Sequence, residues 1–176
     1  MPADRVYNVL FLCTRNSARS ILAEAVINHV GDGRFRGFSA GSTAGDGIHP
    51  LTLATLQKAG ISTDGLHSKQ WDEFATPEAP KMDFIFTVCD TAAGEVCPIW
   101  PGKPVTAHWG IEDPAAVHGP EFKKEAAFED ALSYLRNRVL AFVSLPLESI
   151  DHLALASKLR DIGAMEGRTQ GSAGTA

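Results

Sequence analysis

The chain has 176 residues, 44% of them hydrophobic, enough for one compact core and short for two. Its 16 Lys and Arg against 21 Asp and Glu leave a net charge of -5 with both signs interspersed, which excludes the basic stripe of a nucleic-acid binder and makes any anion site a local positive field. No apolar run is long enough for a membrane span and the N-terminus lacks the pattern of a secretory signal, so a cytoplasmic protein without a membrane partner is expected, whose three cysteines read as reactive or buried thiols.

Val6 to Leu12 reads as a buried strand, and Leu22, Ala25, Val26 and Val30 then recur at helical spacing. Between them stands the loop Cys13-Thr14-Arg15-Asn16-Ser17-Ala18-Arg19-Ser20, which feeds a helix N-terminus. Unpaired backbone N–H groups and the positive end of the helix dipole favour a tetrahedral anion there, and the same field lowers the pKa of a cysteine at the strand end. Residues 14–20 are therefore the candidate oxyanion cradle and Cys13 its nucleophile. Arg19 offers a fork of donors for two oxygens, and Ser20 a hydrogen bond to the thiolate. Taken alone, a Cys ending a strand or an Arg starting a helix is ordinary; their joint spacing carries the functional reading.

Arg36 to Gly41 reads as a second strand, and His49-Pro50 opens a helix carrying Leu51, Leu53, Leu56 and Ala59 that stops at Gly60. Asp83 to Val88 is a third strand and Val105 to Trp109 a fourth. This alternation predicts an α/β domain: an open parallel sheet with helices on both faces. Its strand ends place Cys13, Cys89 and Glu112-Asp113-Pro114 on the edge where open α/β sheets bind ligands. Phe128, Ala131, Leu132, Leu135, Val139 and Phe142 mark a long amphipathic helix over Glu121 to Val143, stopped by Pro146. Residues 1–145 thus form the domain, 146–162 an extra helix from about Leu147 to Ile162, and the small, Gly-rich residues 163–176 a mobile tail.

Cys89 and Cys97 bracket a small polar loop, and Pro98 follows. If that segment folds over the cradle mouth, Cys89 can reach Cys13 and afterwards be reached by Cys97. The alternatives are buried cysteines or a two-cysteine metal site, although no nearby His or Cys completes a tetrahedral set. Asp113 is a candidate general acid, while Asp-Pro is also a common turn signal; its pairing with a thiol and an Arg favours the acid. His108 and His118 are not at metal-ligand spacing and read as core or loop residues. Trp71, Trp100 and Trp109 are explained by packing.

Together these residues resemble the low-molecular-weight tyrosine phosphatase family, and within it the arsenate reductases that use a cysteine relay, over roughly the first 145 residues. The resemblance implies that residues 13–20 bind the oxyanion, Cys13 attacks, Asn16 shapes the loop, and Asp113 is the acid. It also implies that Cys89 and Cys97 are the relay thiols, Cys89 closing a disulfide with Cys13 and Cys97 carrying the oxidation outward. Arsenate is then the substrate, with phosphate or sulfate as competing oxyanions. No nicotinamide or flavin motif is present, so no cofactor is expected to be bound, and the reductant is an external dithiol of the thioredoxin or glutaredoxin type. The competing readings are a phosphotyrosine phosphatase, in which water resolves the Cys13 adduct, and a non-catalytic oxyanion-binding module.

Against the phosphatase reading, Ala115-Ala116 stand where such phosphatases carry a pair of tyrosines. The relay cysteines are one residue further apart than in similar reductases, and Arg15 occupies a position where Gly is common. Some reductases of this family resemble the chain at Asn16, Glu24 and Ser39, which in them help to bind potassium together with an Asp; here Lys69 stands in that segment. Its ammonium is expected to support the loop as the ion would, so no metal is expected.

Overall fold

Val9, Leu10, Phe11 and Leu12 form an unbroken apolar run, the pattern of a strand covered on both faces, and all four are fully buried. The computed structural model describes residues 5–45, 47–89 and 103–169. In it β1 (Tyr7–Cys13) lies inside a four-stranded parallel sheet of order β2-β1-β3-β4, with β2 (Phe35–Gly41), β3 (Phe84–Thr87) and β4 (Val105–His108). The register sets Cys13 beside Gly41 and Leu12 beside Thr87, so the carboxyl ends of the central strands meet at one edge. Helices α1 (Arg19–Val30), α2 (Pro50–Lys58), α3 (Glu121–Val143) and α4 (His152–Gly163) complete the architecture. No helix among the described residues is long and apolar enough to cross a membrane.

Alternate residues of β1 divide the core, as the two-residue period of a strand requires. Tyr7, Val9, Phe11 and Cys13 face Leu22 and Val26 of α1, Leu56 of α2, Leu135 and Phe142 of α3, and Leu155 and Leu159 of α4. Leu10 and Leu12 face Trp71, Phe74 and Met82 across the other side, where a 3-10 turn over Trp71–Phe74 provides the cover. Trp109 stacks on Phe86 with ring centroids 3.8 Å apart and donates its indole N–H to the Leu159 carbonyl at 3.1 Å, tying α4 to the sheet. Trp71 and Trp109 are thus packing residues, as expected; Trp100 lies outside the described residues.

The C-terminal region differs from expectation twice. The last helix starts at His152 rather than Leu147, because residues after Pro146 turn back on themselves: Ser149 and Ile150 both donate to the Pro146 carbonyl, and the Asp151 side chain caps the helix at the Ala154 N–H. Leu147 and Ile150 nevertheless pack on the core, which gives the turn the apolar spacing of a helix. The expected mobile tail is also corrected for residues 163–169. Gly163 belongs to α4, Arg168 pairs antiparallel with Ile111, and the Thr169 N–H donates to the Gly110 carbonyl at 3.2 Å. Met165 packs on the core, and the rest of the segment docks through backbone groups that find partners.

Candidate active site

Asn16 sits at φ 53, the left-handed conformation that bends the loop leaving β1 toward α1. Around this bend the carbonyls from Cys13 to Ser17 are all engaged from outside. Those of Cys13 and Thr14 accept the Ser42 and Thr43 N–H groups, and that of Ser17 accepts from the His49 N–H and the Thr52 hydroxyl. The Ser68 hydroxyl lies 3.2 Å from the Arg15 carbonyl and 2.8 Å from that of Asn16. In a trans peptide the following N–H points opposite to the carbonyl, so carbonyls pulled outward aim the amides of residues 14–18 into the loop. Gly41 makes this possible: a Cβ there would stand 2.5 Å from the Thr14 oxygen. Ala18, the N-cap of α1, forms no side-chain cap.

The Cys13 sulfur is buried at the centre of this ring, 3.2 Å from the Ser20 hydroxyl. Its pKa is lowered to about 5, first by a hydrogen bond from Cys89, then by Ser20, the Arg19 charge and the Asn16 backbone N–H; burial opposes them and is outweighed. Behind the sulfur runs a second line of contacts. The Asn16 amide donates to Ser20 at 2.8 Å and to Ser39 at 2.9 Å and accepts from the Lys69 N–H at 2.8 Å. Ser39 in turn donates to Glu24. Burial raises the Glu24 pKa, and the Lys69 ammonium, 3.7 Å away, pulls it back down. That ammonium also donates to the His67 carbonyl at 2.6 Å.

A cleft of about 580 Å³ opens over the loop, lined by Cys13, Arg15, Arg19, His49 and Asp113 among others. Arg19 donates to the Ile111 carbonyl at 3.0 Å and holds its second nitrogen 3.6 Å from Asp113. Asp113 is half-exposed at the cleft, and its other oxygen accepts the Ala115 N–H; it is a turn residue and a cleft residue at once. Cys89 is buried beside the loop, 3.5 Å from the Thr14 hydroxyl, and is a thiol, as is Cys13.

The structure therefore gathers Cys13, Thr14, Arg15, Asn16, Ser17, Ala18, Arg19, Ser20, Cys89 and Asp113 at one edge, with Glu24, Ser39 and Lys69 behind. Cys97 lies outside the described residues. His108 bonds Thr87 at 2.7 Å and His118 is exposed, and no metal-binding cluster of His, Cys, Asp or Glu occurs among the described residues. The sequence reading missed Ser68, Thr52 and Gly41, which set the direction of the loop's peptides, and the Ile111 carbonyl, which orients Arg19. A backbone carbonyl has no residue signature. Ser68, in contrast, adjoins Lys69 in a polar loop and was accessible to a reading that asked what would satisfy the cradle's own carbonyls.

Comparison with known proteins decides the family. Residues 8–145 match the low molecular weight phosphotyrosine protein phosphatase model. The chain belongs to that family. Among its phosphatase-family relatives, an arsenate reductase of Bacillus licheniformis is 34% identical over 136 residues, covering 76% of this chain and 93% of that one. The structure of an arsenate reductase from Archaeoglobus fulgidus superposes with a TM-score of 0.61 at 27% identity, covering 78% of this chain and 99% of the other. A thioredoxin-dependent arsenate reductase of Corynebacterium glutamicum gives 0.53 at 27% identity, over 76% and 60% of the two chains.

The Cys13 environment of this family member yields a direct expectation. A thiol with a pKa of about 5 is thiolate at neutral pH, so its alkylation by iodoacetamide should fall only as pH drops through about 5, whereas a free thiol loses reactivity below about 8.5. Cys89→Ala removes the leading contact that lowers this pKa and should move the midpoint upward. Alkylation rate against pH, read on the Cys13 peptide by mass spectrometry, checks both.

Proposed function

We propose that this protein is an arsenate reductase in which the 13–20 loop binds arsenate and the three cysteines relay the oxidation. The observation that supports it most is that Cys89, buried 3.5 Å from the Thr14 hydroxyl of the loop, is the leading influence that lowers the Cys13 pKa, which sets a second thiol beside the first. A hydrolytic phosphatase needs only the first. The arsenate reductases among its relatives support the same substrate.

In this reading the amides of the loop and the Arg19 guanidinium hold three arsenate oxygens, and the Cys13 thiolate attacks arsenic. A sulfur–arsenic bond forms and an arsenic–oxygen bond breaks, the departing oxygen taking a proton from Asp113. Cys89, as thiolate, then attacks the Cys13 sulfur. The new S–S bond replaces the S–As bond, whose electron pair stays on arsenic, so As(V) becomes As(III) and arsenite leaves. Cys97 attacks Cys89, freeing the Cys13 thiolate and leaving a Cys89-Cys97 disulfide for an external dithiol to reduce by two further exchanges. A dithiol of the thioredoxin type is favoured over a glutaredoxin by the likeness to a thioredoxin-dependent reductase. The reaction needs a reducing compartment, which makes the cytoplasm its place and arsenic detoxification its use.

Lys69 serves this reading as support for the cradle. It neutralises Glu24, which fixes Ser39 and through it Asn16. An ammonium adds no oxygen ligand, so this set does not fit potassium.

Cys97→Ser should complete one turnover and accumulate a Cys13-Cys89 disulfide, Cys89→Ser should form the adduct without releasing arsenite, and both should retain any aryl-phosphate hydrolysis; sustained thioredoxin-coupled turnover in either would assign the relay elsewhere. Serine is the right replacement at Cys89 because it preserves a hydrogen-bond donor toward Cys13. Asp113→Asn should slow the chemical step by about 10²- to 10⁴-fold with oxyanion affinity nearly unchanged, as measured in single-turnover kinetics. Exchange of potassium for sodium at constant ionic strength should leave the rate unchanged, while Lys69→Ala weakens phosphate or arsenate binding in titrations.

A further inference from the structure

The family match ends at residue 145, yet residues beyond it return to the edge of the cleft. Arg138 of α3 is fully buried and directs its guanidinium at backbone oxygens alone among the described residues. One terminal nitrogen donates to the Glu166 and Tyr134 carbonyls at 3.0 and 3.1 Å, the other to Met165 and Gly163 at 2.9 and 3.4 Å. Three of these carbonyls lie at or just beyond the C-terminus of α4, where unpaired oxygens and the negative end of the dipole attract a cation. Gly167, at φ +99, then lets the chain turn flat against the Tyr134 ring; a Cβ there would stand 2.4 Å from the ring.

So turned, the segment pairs with the continuation of β4. Arg168 lies antiparallel to Ile111, and the Thr169 N–H donates to the Gly110 carbonyl. On its other side Ile111 donates to the Val88 carbonyl at 3.2 Å, next to Cys89. The Ile111 carbonyl is the acceptor that holds Arg19, and Asp113 follows two residues later.

We propose that residues 163–169 are a positioning strap for the oxyanion site, clamped by Arg138 and fixing the Gly110-Ile111 backbone that aims Arg19 and carries Asp113. The inference rests on the reading of residues 13–20 as an oxyanion cradle, and its test separates the two. The full-length double variant Gly167→Val/Thr169→Pro cannot form the pairing, since valine collides with Tyr134 and proline has no N–H for Gly110. Inorganic phosphate is titrated as a protectant of Cys13 against iodoacetamide, and the pH midpoint of alkylation is measured alongside.

The variant should need about 10-fold more phosphate for half-protection, the worth of one misaligned charge-assisted hydrogen bond, with the alkylation midpoint staying well below that of a free thiol because the Cys89, Ser20 and Asn16 contacts are untouched and only the Arg19 contribution is disturbed. Leu155→Ala, which removes a buried α4 side chain outside the strap, should lower the melting temperature and keep the parent's phosphate affinity. If the double variant does not fold, Thr169→Pro alone is read in the same way. Parent-like protection in the variant, or an equal loss in Leu155→Ala, would overturn the strap. A parent that phosphate does not protect would overturn the cradle reading and the strap with it.

Discussion

Burying a thiolate at the end of a β-strand costs several kcal/mol unless donors surround it, and here Cys89, Ser20 and the Asn16 peptide N–H supply them beside the Arg19 charge, within a loop whose peptide directions must be imposed. Peptides in a loop have no preferred direction of their own. The Cys13 loop is oriented by what grips its carbonyls: Ser42 and Thr43 after β2, His49 and Thr52 at the start of α2, and Ser68 from the loop before the 3-10 turn. Each gripping group is anchored in a different element, so the sheet order and the loop geometry are one constraint. The parallel register that sets Gly41 beside Cys13 is what brings Ser42 and Thr43 within reach.

The same economy governs charge. In a protein with a net charge of -5, the positive groups near the Cys13 loop are placed individually. Arg19 is mostly buried, its orientation set by a carbonyl and a carboxylate. Lys69 is buried and spends its charge on Glu24 and the His67 carbonyl, stiffening the loop from behind rather than adding to the field in the cleft. The hydrogen bond from Cys89 leads the causes that lower the Cys13 pKa, ahead of the Arg19 charge, so the group read as second nucleophile also prepares the first.

Much of this was legible in the sequence. The period-two and period-3.6 patterns located the strands and α1, α2 and α3 to within a few residues, because in those segments burial alone decides the structure. The Cys13 to Ser20 spacing pointed to the loop whose side chains the structure gathers around the Cys13 sulfur. The region after Pro146 resisted for a definite reason. Leu147 and Ile150 are apolar at helical spacing but lie in a turn, and apart from Met165, which packs on the core, residues 164–169 dock through backbone bonds that leave no mark on composition. Ser68, Thr52 and the Ile111 carbonyl were hidden in the same way, acting on peptide groups rather than as a recognisable side-chain constellation.

The contacts that seat the last described residues have a consequence for how this region tolerates change over generations. On the segment's own side the bonds use main-chain oxygens and nitrogens at positions 163, 165, 166 and 169, atoms every amino acid supplies, proline's missing N–H excepted. The demanding requirements fall on a few positions: an arginine at 138, and glycines at 163 and 167, where a Cβ would collide with His108 and Tyr134. Drift can therefore rewrite residues 164 and 166 more freely than Met165, whose side chain packs on the core, and purifying selection on this attachment would register at positions 163 and 167 within the segment and at Arg138 in α3, well away from it in sequence.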